Sequence, residues 1–229
     1  MEKGYIKNQL QVLLNGIPGF FEPNELAYYS AHCKNEQQIR DKIAWKLHLA
    51  ITQKYGDKYV VRREWAPEGF GKQRVDLAIL EMKADKKSVD NVIALIEFKA
   101  QSIARREKWY LNEFSKDVKK MRDIKNYDKK ICKNADLYFV FLETGQGKEA
   151  KDAKEYKSVL GFSKYETGGC VYCNGPQDNE YLYAVRSYWK EFEGLLEESI
   201  SIHEPKAIYI GEAFGYKQYV SPLLIGPLE

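Results

Sequence analysis

Apolar and polar positions along this chain repeat with two different periods, and each period predicts a different element. In NEQQIRDKIAWKLHLAITQKY, Ile39, Ile43, Leu47 and Ala50 recur every three or four residues, the spacing that lays one apolar stripe along a helix. A helix is therefore predicted over 36–55, with Asn35 as its N-cap. Gly56-Asp57 then turns the chain into KYVVRREWAP, a run of β-formers closed by Pro67, and the turn-like PEGFGKQ joins it to QRVDLAILE. These two runs read as a hairpin with strands near 59–66 and 73–81.

Beyond the polar stretch KADKKSVDN, the run VIALIEFKA is nearly continuous in apolar and β-branched residues. That pattern marks a central strand over 92–100, buried on both faces. A second amphipathic helix is predicted over 107–125, where Phe114, Val118 and Met121 share one side, and DLYFVFLET predicts another buried strand at 136–144. A helix, three strands, a helix and a strand make an α/β fold, a mixed β-sheet flanked by helices. Further on, SYWKEFEGLLEESI predicts a helix over 187–200, and KAIYIGEAF and QYVSPLLIG predict short strands around Gly215. Residues 145–185 are rich in Gly, Lys and Tyr and carry no legible period.

Length and composition bound this picture. With 229 residues, 44% of them hydrophobic, and no Ser/Gly/Pro-rich divider, one domain with one sizeable core is expected. No run approaches the roughly eighteen apolar residues of a membrane span. The apolar patch in MEKGYIKNQLQVLLNGIPGF is too short and broken for a signal peptide. The expectation is a cytoplasmic protein with no membrane partner. Its four cysteines, at 33, 132, 170 and 173, lack the regular spacing of a disulfide framework. Cys170 and Cys173 form a C-x-x-C pair, but no second pair follows to complete the four ligands of a structural zinc site. They read as two thiols in a loop.

The net charge of +3 hides a gradient. Residues 83–133 hold 15 Lys/Arg against 8 Asp/Glu, and residues 134–229 hold 9 against 15. The basic stretch with interleaved aromatics at Arg105, Arg106, Lys108, Trp109 and Tyr110 suits a polyanion, because each phosphate contact releases counterions. Arg105, Arg106 and Lys108 are the candidate phosphate contacts. A solvated helix face would carry the same residues.

Chemistry enters at the end of the predicted central strand. Glu97 and Lys99 are two apart and so project from the same face, inside a run that is otherwise apolar. Asp76 is a single carboxylate among Val75, Leu77, Ala78, Ile79 and Leu80 of the neighbouring strand. An uncompensated buried charge costs several kcal/mol, so these groups must either pair with one another or line a polar site. If the two strands are neighbours, Asp76, Glu97 and Lys99 converge. Two carboxylates with a backbone carbonyl then form a hard-oxygen site suited to Mg²⁺, and a lysine beside them can hold the attacking water.

Asp76 followed 21 positions later by Glu97-Phe98-Lys99 resembles the PD-(D/E)xK motif of the restriction-endonuclease-like nucleases. The resemblance covers about residues 35–145 and includes a helix before the hairpin with an acidic residue, Glu36, near its start. Val75 stands where the motif's name places proline. The resemblance implies a restriction-endonuclease-like mixed sheet, with residues 146–229 as a recognition or dimerisation elaboration. Asp76, Glu97 and the Phe98 backbone carbonyl would ligate Mg²⁺, for which Mn²⁺ can substitute, and Lys99 would position the water. Glu36 would bind metal directly or through water, or else be simply a favourable charge in the first helical turn. Gln101 continues the face of Glu97 and Lys99 and, as in some relatives, would contact substrate or site.

The expected function is therefore a Mg²⁺-dependent DNA endonuclease that hydrolyses phosphodiester bonds, of the type II restriction kind. The alternatives are a structure-specific or exonucleolytic repair nuclease, a nucleic-acid-binding module that keeps the fold without turnover, and a purely structural ion network. Paired cuts on duplex DNA would call for two sites and hence a symmetric homodimer.

Overall fold

A computed structural model of the chain describes residues 1–2, 4–32, 35–102, 109–149, 172–173, 194, 207–213 and 216–228. The predicted hairpin and central strand form β1 (Tyr59–Trp65), β2 (Val75–Met82) and β3 (Val89–Ser102), joined as an antiparallel meander. Next come α4 (Trp109–Tyr127), the short α5 (Lys129–Cys132) and β4 (Asp136–Glu149), which pairs parallel to β3. The segments expected as short strands are β6 (Ile208–Ala213) and β7 (Tyr216–Leu228). β7 runs antiparallel to both β4 and β6.

The sheet order is β1-β2-β3-β4-β7-β6, and the two-residue β5 (Tyr172–Cys173) pairs with β4. The α/β class and the mixed sheet are as expected, with α3 spanning Glu36–Tyr55. The predicted helix at 187–200 falls almost wholly outside the described residues.

Strand periodicity of two sorts the core into layers. Along β4, Leu137, Phe139 and Phe141 face one side with Phe114, Val118 and Met121 of α4. Tyr138, Val140 and Leu142 face the other, where Ile39, Ile43 and Leu47 of α3 lie. The same alternation in β3 buries Phe98 on the α3 side, with Ile96 and Ala100. Glu97 and Lys99 are thereby directed to the α4 side, which Leu95 shares.

Two further helices, not predicted from the sequence, cover the α3 face. They are α1 (Tyr5–Asn15) and α2 (Glu25–His32). Ile6, Leu10, Leu14 and Ile17 are buried there, so the patch read as broken is one face of a helix and the 3-10 turn after it. α2 also packs on β6, where the Glu212 amide donates to Asn24 Oδ1 at 2.8 Å. Gly211 has φ +118°, and a Cβ added there would lie 2.7 Å from Asn24 Oδ1 and 2.9 Å from its Cα.

The expected cap is not made by a side chain. Asn35 N-caps α3 without a side-chain bond; its Nδ2 donates instead to Ser30 Oγ at 2.6 Å, tying α3 to α2.

Candidate functional site

The β2–β3 ladder stops at Leu77 opposite Ile96, while β1 and β2 remain paired as far as Trp65 opposite Val75. β2 therefore parts from β3 just where Asp76 and Glu97 stand, and carboxylates take over the freed backbone amides. The Phe98 amide donates to Asp76 Oδ2 at 2.8 Å, and the Asp76 amide donates to Glu97 Oε2 at 3.3 Å. Two residues further along β3, the Ala100 amide donates to Glu36 Oε2 at 2.7 Å, at the first turn of α3. Alternate amides of a strand point the same way, so Asp76 and Glu36 occupy the lane that β2 vacates.

Asp76 and Glu97 each also meet a cation. Arg40, one helical turn after Glu36, donates from Nη1 to Asp76 Oδ1 at 2.9 Å and to Glu64 Oε1 at 2.5 Å, and from Nε to Asp41 at 3.1 Å. From the opposite face, Lys120 of α4 lies 2.5 Å from Glu97 Oε1 and 3.5 Å from Asp117. Asp117 pairs at 3.3 Å with Lys99. The result is an alternating chain of basic and acidic groups running Lys99, Asp117, Lys120, Glu97.

Burial sets the protonation of this chain. Glu97 is 5% exposed. Its removal from water, together with the charge of Asp76, outweighs the pull of Lys120 and pushes its carboxyl up to about 8. Burial works against the Lys99 ammonium, but Asp117, Glu36 and Glu113 together overcome it and hold the group above its ordinary range. Lys120 behaves in the same way: burial opposes its charge, and Glu97 and Asp117 outweigh that. Arg40, despite its burial, is held above its ordinary value by Asp76 and Asp41.

Of the residues expected from the sequence, Asp76 and Glu97 are side by side, and Lys99 lies on the same strand face as Glu97, held by Asp117. Glu36 reaches the gap through the Ala100 amide. The Phe98 side chain is buried on the far face. Gln101 pairs with Glu143 through the backbone of β3, and its side chain lies outside the described residues, as do Arg105, Arg106 and Lys108. Arg40, Glu64, Asp117 and Lys120 were not read from the sequence. The available signal was helical spacing, with Glu36 and Arg40 four apart and Asp117 and Lys120 three apart.

Two carboxylates in contact through one amide are a hard-oxygen donor set, one of them neutralised by its own burial and both already faced by a cation, Arg40 or Lys120. The oxygen chemistry of that set fits a divalent ion, since Mg²⁺ is commonly held by one or two carboxylates and keeps waters for its substrate, and the ion would compete with the Glu97 proton and with the two cations. Among the described residues, no group of three or more His, Cys, Asp or Glu side chains is placed to hold a metal ion. A metal site here would rest on Asp76 and Glu97 with backbone carbonyl and water. No helix among the described residues is long and apolar enough to cross a membrane. A scan against protein-family models and searches of curated proteins and of solved structures find no match to this chain.

Proposed function

We propose that the chain is a divalent-metal-dependent phosphodiesterase that hydrolyses DNA, a restriction-type endonuclease on a restriction-endonuclease-like sheet. The observation that carries this reading is the fork between β2 and β3, where Asp76 and Glu97 enter one gap between two lysines and an arginine. Asp76, Glu97 and the Phe98 carbonyl are the groups that would hold Mg²⁺ or Mn²⁺. Such an ion, when bound, polarises a phosphate oxygen and offsets the charge that grows on it.

The remaining work falls to the chain itself. Lys99 shares the strand face of Glu97, and its ammonium, held by Asp117, would hold a water in line with the scissile bond and balance charge on the phosphate. Lys120 adds a second positive charge to the same face. Asp117 stands between the two ammonium groups and fixes both. Glu36 secures the end of β3 that bears Lys99 through the Ala100 amide. Arg105, Arg106 and Lys108 remain the proposed contacts to the DNA backbone and Gln101 a proposed contact to substrate or site, with paired cuts made by a homodimer.

The test is incubation of linear DNA with Mg²⁺ or Mn²⁺. Cleavage is expected, with loss in EDTA and a fall of about a hundredfold or more in Asp76→Ala and Lys99→Ala. A discrete ladder marks sequence-specific cutting, and progressive shortening marks an exonuclease. Salt-sensitive binding without cleavage under either ion would make the chain a binding module.

One observation favours a second reading. Each oxygen of Asp76 and Glu97 already accepts a hydrogen bond from the protein, as in a closed structural ion network. In that case neither ion would bind to the folded chain.

A further inference from the structure

Arg40 reaches the carboxylate pair from α3, on the face of the sheet opposite Lys120, and its placement is costly. Its side chain is 8% exposed, yet a single nitrogen, Nη1, serves both Asp76 and Glu64. Glu64 is itself distorted. The β1–β2 register passes from Arg63 opposite Leu77 to Trp65 opposite Val75, which leaves Glu64 level with Asp76 but out of the ladder's pairing. Its φ of +49° is in the left-handed region, which glycine and asparagine enter far more readily than glutamate. Left-handed backbone at a non-glycine residue persists only where its surroundings impose it, and such residues cluster at functional sites. Here the distortion stands beside Asp76 and gives the Glu64 carboxylate to the nitrogen that holds Asp76. Glu64 is otherwise open to water, its side chain 57% exposed, so burial does not account for its place.

We propose that Arg40 is a positioning residue for Asp76: braced by Glu64 and Asp41, it fixes one carboxylate oxygen and sets how much negative charge Asp76 offers to a divalent ion. This rests on the reading of Asp76 as a metal ligand. A guanidinium does not deprotonate at any pH the protein meets, so its charge is a permanent competitor of the ion. Its planar fork, with Nε on Asp41 and Nη1 on the other two groups, fixes direction in a way that an ammonium cannot. Two opposed consequences follow. Removal of Arg40 leaves Asp76 and Glu64 unneutralised, so a divalent ion binds more tightly, but to a carboxylate no longer held in place. Removal of the Glu64 charge leaves Arg40 more fully to Asp76, so the ion binds more weakly.

The test is calorimetric titration of the full chain with Mg²⁺ and with Mn²⁺, run beside DNA cleavage at saturating ion. Arg40→Met is expected to bind Mg²⁺ about tenfold more tightly and to cleave at least about tenfold more slowly. Glu64→Gln is expected to bind it a few-fold more weakly. Arg40→Lys should keep the weaker wild-type affinity without restoring cleavage. A merely structural arginine would weaken binding and cleavage together. Unchanged or weaker binding in Arg40→Met, or full cleavage by it at saturation, would overturn the proposal. Should Arg40→Met not fold, Glu64→Gln decides alone, and equal or tighter binding overturns it. A wild-type chain that binds neither ion overturns the metal-site reading as well, which separates the two failures.

Discussion

Glu97 is a carboxylate placed where water does not reach it, and the consequence is measurable. In the folded chain its proton is retained up to about pH 8, whereas in the unfolded chain it leaves near the ordinary 4.5. Between those values the folded form binds the extra proton. The stability owed to this group is therefore full below about 4.5 and is lost as pH rises through about 8. Glu97→Gln removes the linkage. In EDTA, the melting temperature of wild type relative to Glu97→Gln should fall steadily from pH 4.5 to pH 8 and then level off. A difference that does not change with pH would mean that Glu97 is ionised throughout. The cost of this residue was legible in the sequence, because a charge inside VIALIEFKA has nowhere inexpensive to go. Its partners were not. Arg40 and Lys120 belong to the polar residues of amphipathic helices, where they read as solvent-facing, and only the packing of those helices against opposite faces of the sheet buries them.

At the scale of elements, strands with an unbroken apolar run and helices with a clear stripe could be read to within a few residues. α3 and the start of β4 fall at their expected positions, while β3 and α4 are displaced by two or three residues at their ends. The failures have physical causes. Ile6, Leu10 and Leu14 follow a helical period, but the 3-10 turn that begins at Ile17 interrupts it before it grows long. The parting of β2 from β3 was invisible, because nothing in the local pattern of QRVDLAILE says where pairing ends. Close approach of elements distant in sequence is equally hidden, as at Gly211 against the start of α2. Gly211→Ala would force a Cβ onto the Asn24 backbone at a φ that alanine rarely adopts. It should destabilise the chain by about 1–3 kcal/mol, read as a lower midpoint in urea at unchanged slope. An unchanged midpoint would mean that α2 is not held against β6.

Over the whole molecule, helices lie on both faces of the sheet, and each face sends a cation into the fork, Arg40 from α3 and Lys120 from α4. The fork therefore carries its own positive charge before any ion arrives. This makes competition, rather than simple filling, the expected behaviour on addition of metal. A ligand that binds only the folded state must still raise its stability, by about 2.7 kcal/mol at a hundredfold excess over Kd, or several degrees in Tm for a chain of this size. Mg²⁺ should produce that rise in wild type and not in Asp76→Ala. A closed ion network would give no rise in either. The metal-dependent nuclease site is tested most directly by conversion of supercoiled plasmid in the presence of Mg²⁺, wild type beside Asp76→Ala. Nicked or linear DNA from the wild type alone, abolished by EDTA, is the expected result; equal conversion by both proteins, or none by the wild type under Mg²⁺ or Mn²⁺, would contradict it.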